Sequence, residues 1–583
     1  MKLNRKITSV LTAAVCGISS TVSGGFLTLV VEAEKNYGDY LYYQQIDENY
    51  DGTYDYIKIT DCDESAAEIE IPSEIDGLSV TVIGKNAFNS CSSLTSITIP
   101  DSVTTIESCA FSFCEALTDI TLPEGITSIE DGTFASCASL TGITFPEGIT
   151  SIGISAFFDC DSPNNVIIPD GVTSIGNGAF DSCSALTDIT IPESVTSIEG
   201  NAWGNTPWIK AKQQENPLVA VNGILIDGET CTGDITIPDG ILSICDSSFG
   251  NCYALKSVKM SDSVTSIGKS AFYNCKNLTS ITISDNVTSI GATAFYHCES
   301  LADITIPDSV TSIGASAFSH CQSITSMIIP DGVTSINGSA FRFCNSLTDI
   351  SIPDSVTSIG DYAFYGCENL TGITIPDDVT TIGDCAFGYC SFTSIVIPDS
   401  VISFGDYVFY KCSCLESAVI GSSVRTIWVS TLGNCENLKE ITIRNPECLF
   451  EDDESTINAA VTIYGYENSP TQEYAEKYNR TFVALDSEQP TETEPTSETD
   501  PSGETIDSSL VTKYGDLNND DDVSISDVVK VNLYLLNKTE NPLDAVALAN
   551  ADCVRDNIID TADSSILMNY TAMMISYDKL GAL

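Results

Sequence analysis

The sequence predicts a repeat solenoid, in which short strands from successive turns stack into a parallel β-sheet and irregular segments carry the chain back. A 23-residue unit recurs, and one copy runs from Leu94 to Ala116. Its marker, Ile-Pro or a close variant, begins at positions 71, 99, 122, 145, 168, 191, 237, 260, 283, 306, 329, 352, 375, 397 and 420. From position 99 onward the spacing is 23 residues, apart from one gap of 46 and one step of 22. Each small unit, or rung, buries its apolar residues only by packing on its neighbours, so the product is a long, regular surface.

The first half of each rung is predicted to be a short strand with one buried face. Ile97 and Ile99 alternate with polar residues, which is the pattern of a strand whose two faces differ. Leu94 is out of step with this alternation, so it is placed at the corner that leads into the strand. Pro100 ends the strand because it has no N–H for the ladder.

The second half is predicted to be a tighter return path that contains a short helical turn. Val103 and Ile106 form a second apolar pair. Ala110, Phe111 and Cys114 then follow at helix-like spacing and close the turn. Each rung therefore contributes one strand to the sheet and one compact return.

Fourteen of the 23 cysteines keep the spacing of the repeat, and we call them the ladder cysteines. They are Cys91, Cys114, Cys137, Cys160, Cys183, Cys252, Cys275, Cys298, Cys321, Cys344, Cys367, Cys390, Cys412 and Cys435. Cysteine is small and apolar, and its thiol donates weakly to a backbone carbonyl, so we expect buried free thiols. Rungs about 4.8 Å apart leave a disulfide open as the alternative. Zinc binding is disfavoured because the chain has two histidines and no Cys-x-x-Cys cluster.

The first 33 residues are predicted to be a signal peptide. Lys2, Arg5 and Lys6 precede an apolar stretch that reaches Val31, and Val31-Glu32-Ala33 fits a small-x-small cleavage site. We therefore expect an exported, extracellular protein. Lipidation at Cys16 is the disfavoured alternative, since Val15 stands where a lipobox needs a smaller residue. No later stretch is long and apolar enough to span a membrane.

Residues 34–70 and 446–485 are predicted to cap the two ends of the solenoid, which need cover for their apolar faces. In the first cap, residues 47–52 imitate a calcium loop, but Lys58 stands at position 12, so we expect a turn between two strands. In the second cap we expect a strand over 461–464, a helix over 471–478 and a closing strand over 482–485.

The repeat in residues 71–445 resembles the bacterial surface leucine-rich repeats of the BspA-like type. The resemblance rests on V-T-S-I-G-x-x-A-F-x-x-C-x-x-L-T-x-I-x-I-P, which is nearly intact from Val264 through Pro376. It implies a leucine-rich repeat solenoid and a role in binding or adhesion. The pattern is interrupted over residues 203–232, where Thr206-Pro207-Trp208 opens a segment in place of one rung. This insertion is either a tryptophan-bearing binding loop or a structural excursion.

A candidate ligand stripe follows the repeat phenylalanine. It consists of Phe158, Tyr273, Tyr296, Tyr365 and Tyr410, with Phe113, Phe343 and Tyr389 one residue further along their rungs. Aromatic rings spaced along an edge stack on sugar rings or anchor a peptide, and the alternative is that they shield the corner from water. The rest of the repeat surface is polar, with no nucleophile beside a base, so no catalytic residue is predicted.

Residues 486–513, rich in Pro, Thr, Ser and acid, are predicted to be a flexible linker, and residues 514–583 a separate module. The spacing of oxygen-bearing residues matches loop positions 1, 3, 5, 7, 9 and 12 of a calcium site, with position 7 binding through its carbonyl. The first loop contains Asp516, Asn518, Asp520, Asp522, Ser524 and Asp527. The second contains Asp552, Asp556, Ile558, Asp560 and Asp563, and it should bind Ca²⁺ more weakly because Val554 stands at its position 3.

Two such loop-helix units after a Thr/Pro linker resemble a dockerin. The resemblance implies a small all-α module that binds two Ca²⁺ ions and docks into a cohesin of a cellulosomal scaffoldin. The recognition positions implied for this sequence are Ile525, Ser526, Asn532, Leu533, Thr561, Ala562, Met568 and Asn569. The position-10 and position-11 pairs differ between the loops, so equal docking in two orientations is not expected.

The net charge of −57 further limits the function. It repels nucleic acid and anionic lipid and attracts divalent cations and basic surfaces, and it also keeps a long solenoid soluble. The leading hypothesis is a non-catalytic, exported binding or adhesion protein carried on a cellulosome or cell surface. The alternatives are an enzyme or accessory of polysaccharide degradation, since dockerins usually carry hydrolases, and a free surface adhesin. The sequence does not identify the ligand of the repeats, a polysaccharide or a surface protein.

Overall fold

Two parallel ladders of short strands run along the stacked rungs. The computed structural model describes residues 35–485 except 39, 429–430, 455 and 458–459. A typical rung contributes a front strand of three residues and, after a turn, a return strand of two. Ile97 of a front strand and Ile106 of a return strand are both buried. The return path therefore contains a second strand, which the expectation of one strand per rung missed.

The chain enters through six strands and a first block of regular rungs. The N-terminal strands are β1 (Lys35–Tyr37), β2 (Leu41–Ile46), β3 (Tyr56–Cys62), β4 (Glu68–Glu70), β5 (Glu74–Ile75) and β6 (Leu78–Ile83). The first block contains β7 (Ser96–Thr98), β8 (Thr105–Ile106), β9 (Asp119–Thr121), β10 (Ser128–Ile129), β11 (Gly142–Thr144), β12 (Ser151–Ile152), β13 (Asn165–Ile167), β14 (Ser174–Ile175), β15 (Asp188–Thr190) and β16 (Ser197–Ile198). β2 and β3 pair as an antiparallel hairpin, which confirms the turn expected over residues 47–52.

An insertion and a second, longer block follow. The insertion contains α1 (Pro207–Glu215), β17 (Val219–Val221) and β18 (Ile224–Asp227). The second block contains β19 (Gly233–Thr236), β20 (Ser243–Ile244), β21 (Leu255–Lys259), β22 (Ser266–Ile267), β23 (Ser280–Thr282), β24 (Ser289–Ile290), β25 (Asp303–Thr305), β26 (Ser312–Ile313), β27 (Ser326–Ile328), β28 (Ser335–Ile336), β29 (Asp349–Ser351), β30 (Ser358–Ile359), β31 (Thr381–Ile382), β32 (Ser394–Val396), β33 (Ser403–Phe404), β34 (Ser417–Ile420), β35 (Thr426–Ile427), β36 (Glu440–Ile443) and β37 (Leu449–Phe450). The closing elements are β38 (Thr462–Gly465), α2 (Pro470–Lys477) and β39 (Thr481–Ala484).

The strands of the repeats pair in parallel, and the register follows the repeat. Ile129 of β10 pairs with Ile152 of β12, and Ile267 of β22 pairs with Ile290 of β24. Because equivalent residues are partners, each column of side chains along the solenoid has one character. The predicted parallel solenoid is confirmed.

The corner after the return strand is not helical, which corrects the expected helical turn. Its N–H groups alternate between two kinds of partner: Ala110 donates to Glu107 within the rung at 3.2 Å, whereas Phe111 donates to Thr133 of the next rung at 2.9 Å. Cys109, with φ of 58°, also breaks the helical conformation. The spacing looked helical because a run of tight turns brings every third or fourth residue to the same side.

The core is a column of stacked phenylalanine rings, one per rung. In the first block the rings stack from Phe88 to Phe180, with Phe88 and Phe111 centroids 5.1 Å apart and nearly parallel. In the second block the stack runs from Phe249 to Phe409. Offset stacking contributes about 0.5–1.5 kcal/mol per pair beyond the burial of the rings.

The ladder cysteines line the corner beside this column. Thirteen of them are free and buried, as predicted. Most of their thiols donate to the carbonyl of the phenylalanine of the previous rung, as Cys114 Sγ does to Phe88 O at 3.1 Å. Cys91 is the exception, because it forms a disulfide with Cys62. Cys91 belongs to the first complete corner, where the neighbour is the last residue of β3 rather than another rung.

The insertion interrupts the column of phenylalanine rings, but the core remains covered at this point. Trp203 takes the place of a phenylalanine and lies parallel to Phe180, with centroids 6.5 Å apart. Trp208 packs against Trp203 at 5.3 Å, and both indoles are buried. Thr206 caps α1 by accepting a hydrogen bond from the Ile209 N–H. The tryptophans therefore belong to the structural excursion and are not available to a ligand.

The C-terminal cap closes the last rung with polar contacts. The expected strand, helix and closing strand are present as β38, α2 and β39, each within about one residue of the expected bounds. The Arg480 guanidinium donates to the carbonyls of Ile457, Tyr478 and Glu454. The Tyr474 hydroxyl accepts from the Ile457 N–H at 3.0 Å. The end of the solenoid is thus covered by side chains that satisfy its backbone groups.

We predict that the ladder thiols resist alkylation while the chain is folded. Burial raises the pKa of Cys137 and of Cys344 to about 12, so almost no thiolate is present near pH 8. Iodoacetamide followed by peptide mass mapping should label the exposed Cys414 first, and the ladder only in denaturant. Rapid labelling of Cys344 in the native protein would contradict the buried ladder.

Candidate functional site

The ring side chains of the predicted stripe emerge at the corner because the preceding phenylalanine points inward. Phe272 is buried, and Tyr273 next to it faces solvent. The Tyr273 N–H closes a local turn to Ser270 O at 2.9 Å, and the Asn274 N–H donates to Tyr296 O of the next rung at 2.7 Å. The repeated backbone places equivalent side chains one rung apart. The Tyr273 and Tyr296 rings accordingly stack with centroids 5.3 Å apart and planes at 3°.

The two histidines continue this row. Their rings stack with centroids 4.1 Å apart and planes at 8°. Tyr296 contacts His297 at 4.6 Å and His320 at 5.5 Å, both edge to face. His320 in turn lies 4.8 Å from Phe343.

Tyrosines extend the row across the following rungs. Tyr365 contacts Phe343 at 5.5 Å and Tyr389 at 5.2 Å, and Tyr389 contacts Tyr410 at 5.8 Å, all edge to face. Further tyrosines lie against the row at the left-handed positions of their corners. We call the whole set the aromatic ridge: Tyr273, Tyr296, His297, His320, Phe343, Tyr362, Tyr365, Tyr389, Tyr407 and Tyr410.

Four of the five predicted stripe residues belong to this ridge, and Phe158 does not. Phe158 is exposed, and in the described part of the chain it makes no ring contact. The equivalent residues of the adjoining rungs are Ala135 and Asp181, so no ring is available beside it. Phe158, a candidate stripe residue, therefore lies apart from the ridge.

Two cations lie on the ridge. The Arg342 guanidinium lies 5.0–5.4 Å from the centroids of Phe343, Tyr362 and Tyr365. Lys411 Nζ lies 5.1 Å from the Tyr389 centroid and donates to the Tyr389 hydroxyl at 3.1 Å. Cation–π contacts of this kind contribute about 0.5–1 kcal/mol at exposed sites and hold the rings in place.

Tyr365, Lys411 and His320 of the ridge have shifted pKa values. Burial, with the neighbouring Tyr389, raises the pKa of Tyr365. The hydrogen bond to Tyr389 raises the pKa of Lys411, which stays cationic at neutral pH. Burial and the positive charge of His297 and Arg342 lower the pKa of His320, against the opposing effect of Glu299. The ridge therefore presents neutral aromatic faces with fixed cations between them near neutral pH.

Sequence reasoning missed the two cations, the histidines, Tyr362 and Tyr407 as members of the site. The signal was present, because Arg342 and Lys411 fall at the first and second positions after their phenylalanines, where the stripe was sought. A pattern of aromatic residue types alone leaves out the cations that bind aromatic faces.

A cavity of about 670 Å³ opens on the front face, where the step of 22 residues occurs. Its walls include Ile373, Asp377, Val396 and Arg444.

Among the described residues, no group of three or more histidine, cysteine or acidic side chains is placed to hold a metal ion. The predicted calcium and cohesin-binding positions, from Asp516 to Met568 and Asn569, lie outside the described residues.

Comparison with known proteins identifies the repeat. The BspA type leucine rich repeat region matches residues 67–210, 229–348 and 334–451, more than half of the chain. The break between the first two matches contains most of α1 and the hairpin of β17 and β18. A search of curated proteins finds no match. No helix in the described part of the chain is long and apolar enough to cross a membrane.

Several solved structures are similar over long stretches. A leucine rich cell surface protein from Faecalibacterium prausnitzii is 30% identical, with 55% of this chain and 94% of that chain covered and a TM-score of 0.32. A leucine-rich repeat protein from Bacteroides ovatus is 23% identical, covering 77% and 99%, with a TM-score of 0.29. The pneumococcal vaccine antigen PcpA is 16% identical, covering 78% and 98%, with a TM-score of 0.30.

We predict that His320 makes the folded chain sensitive to mild acid. Its pKa is lowered on folding, so the unfolded chain takes up the proton at higher pH, and stability is lost as pH falls below the unfolded value of about 6.5. Between about pH 7.5 and 5.5, His320→Asn should lose less thermal stability than the parent, by about 1 °C in Tm. Equal losses in the two proteins would contradict the assignment.

Proposed function

The chain belongs to the BspA-type leucine-rich repeat family, and from this premise we propose that it is a non-catalytic, exported binding protein whose ligand contacts the aromatic ridge. Family membership supports the coarser role of a surface or binding protein. The observation that supports the site is the continuity of the ridge, in which each ring from Tyr273 to Tyr410 contacts the next.

The physical form of the ridge suits an extended ligand. Its rings repeat at about the rung spacing, and Tyr273, Tyr362 and Tyr407 are 37–43% exposed. Tyrosine supplies a large apolar face at low conformational cost, with a hydroxyl for polar groups. A polysaccharide or a surface protein segment lying along the corner would meet several such faces at once.

We further propose that residues 514–583 attach this binding surface to a cohesin through calcium. Support comes from the duplicated spacing of oxygen ligands in the sequence, with Asp516 and Asp527 at positions 1 and 12 of the first loop. In this proposal the cohesin belongs to a scaffoldin, and other proteins on the same scaffold cut polysaccharide.

Two alternatives lead to different observations. An enzyme or accessory of polysaccharide degradation would release reducing sugar from cell-wall substrates, which the proposed binding protein would not. A free adhesin would bind its surface ligand equally well after deletion of residues 514–583 and would ignore cohesins.

We predict that the ridge carries ligand binding. Tyr273→Ala, Tyr296→Ala and Tyr365→Ala together should reduce retention on cell-wall polysaccharide or on a surface-protein array by about tenfold, since buried aromatic anchors dominate binding energies. Phe113→Ala with Phe158→Ala is the matched control, because both rings are exposed at corners but lie away from the ridge. Unchanged retention of the triple variant, or an equal loss in the control, would exclude the ridge.

We predict calcium uptake by the two C-terminal loops. Calorimetric titration of the mature chain should show two sites, the second weaker, and Asp516→Ala with Asp527→Ala should remove the tighter one and weaken cohesin capture. The Asp552→Ala, Asp563→Ala variant serves as the comparison and should lose only the weaker site. A titration without calcium-specific heat in the parent chain would contradict the dockerin proposal.

A further inference from the structure

The C-terminal half of the aromatic ridge alternates rings with cations and glycines. In its four rungs, the two positions after the repeat phenylalanine hold Arg342-Phe343, Tyr365-Gly366, Gly388-Tyr389 and Tyr410-Lys411. The same positions of the first block include the acids Asp159 and Asp181. We call this half of the ridge the basic segment, and it consists of Arg342, Phe343, Tyr362, Tyr365, Tyr389, Tyr410 and Lys411.

The two glycines allow a ring of one rung to lie over the next rung. Gly366 has φ of 76°, and a Cβ there would lie 2.4 Å from Phe343 Cδ1. A Cβ at Gly388 would lie 2.9 Å from Tyr365 Cδ2. A side chain at either position would displace the ring that covers it. The glycines therefore join the rings of successive rungs into one surface.

Arg342 is held by rings and keeps its hydrogen-bond donors free. Its guanidinium lies 5.0–5.4 Å from the centroids of three rings. Among the described residues, the guanidinium has no hydrogen-bond or ion-pair partner, and only its Nε is enclosed by the protein. A planar guanidinium with free terminal nitrogens matches the two oxygens of a carboxylate. Arg342 is thus positioned to bind an anionic group of a ligand.

Lys411 supplies a second uncompensated charge. Its Nζ lies 5.1 Å and 5.4 Å from the centroids of Tyr389 and Tyr410, and it donates one hydrogen bond to the Tyr389 hydroxyl. No carboxylate of the described chain pairs with it, whereas Lys276, in the rung of Tyr273, pairs with Glu299 at 2.9 Å. Arg342 and Lys411 are three rungs apart, which is about 14 Å at the usual strand spacing.

The nearest column of acids has another role. Asp361, Asp384 and Asp406 directly precede the left-handed positions of their corners. Asp361 Oδ1 accepts from the Asp384 N–H at 2.9 Å, and Asp384 Oδ1 accepts from the Asp406 N–H at 2.8 Å. These carboxylates hold successive rungs together and do not pair with the cations. The field of more distant acids is screened beyond about 8 Å at physiological ionic strength. The local cations therefore decide which ligand charge is preferred.

We propose that the basic segment binds an acidic polysaccharide built of uronic acid units. Sugar rings stack on the faces of Tyr365, Tyr389 and Tyr410. Carboxylates of separate units meet Arg342 and Lys411. A neutral polysaccharide would leave both cations without a counter-charge, and an acidic peptide would lack the repeated ring faces. This inference rests on the proposed function, because it specifies the ligand of the same ridge.

The test compares three immobilised polymers on a biosensor, with the mature chain in calcium-free buffer. Polygalacturonate carries both the sugar and the charge, its fully methyl-esterified form keeps the sugar without the charge, and polyglutamate keeps the charge without the sugar. The chain should bind polygalacturonate at least about tenfold more tightly than either of the others.

A charge-matched pair of variants assigns this preference to the basic segment. Arg342→Gln with Lys411→Gln should bring the affinities for polygalacturonate and its ester to within about twofold of each other. Lys256→Gln with Lys259→Gln is the control, because it changes the net charge equally at two exposed residues of β21, away from the ridge. This control should keep the tenfold preference. Continued protection of Cys344 from iodoacetamide verifies that each variant is folded.

Four results would overturn the proposal. They are no binding of polygalacturonate, equal binding of its ester, equal binding of polyglutamate, and equal changes in the two double variants. If the ester binds as well as the free acid and the triple tyrosine variant loses both, the ridge remains the binding site and only the acidic ligand is excluded. If the triple variant retains all binding, the proposed function itself fails.

Discussion

The hydrogen bonds between rungs set every other property of this molecule. They fix the offset between equivalent residues at the length of the repeat, as in the pairing of Ile129 with Ile152. Once that offset is fixed, a side chain at any position meets its own equivalent in the next rung. The phenylalanine column, the thiol ladder and the aromatic ridge are three consequences of the same backbone constraint. The three features differ only in whether their position in the rung faces the core, the buried corner or solvent.

The departures from the period create the irregular features of the surface. The insertion after Trp203 replaces one rung by a helix and a hairpin, and the core column stops and restarts around it. Gly228 makes room at the restart, since a Cβ there would lie 2.2 Å from the Phe249 ring. The step of 22 residues leaves the return strands β31 and β33 paired, with Ile382 opposite Phe404. Regular rungs therefore align equivalent side chains, as in the aromatic ridge, and the insertion changes the core column locally.

The sequence predicted the features that depend on alternation and period, and it missed those that depend on local geometry. The parallel solenoid, the buried thiols and the caps follow from patterns such as Ile97-Thr98-Ile99, which constrain burial directly. The spacing at Ala110 imitates a helix because periodicity shows on which side a residue lies and not which group its N–H bonds to. Arg342 follows its phenylalanine as the tyrosines of the ridge do, but only the structure shows the three rings around its guanidinium.

The disulfide between Cys62 and Cys91 gives the two ends of the solenoid different resistance to unravelling. A stack of nearest-neighbour contacts frays from its ends, because a terminal rung has only one neighbour. At the N-terminal end a covalent bond ties the first corner to β3, so fraying there stops at the cross-link. At the other end the cover depends on hydrogen bonds such as those of Arg480. Under a pulling load or during proteolysis, the solenoid should therefore unfold from its C-terminal cap inward.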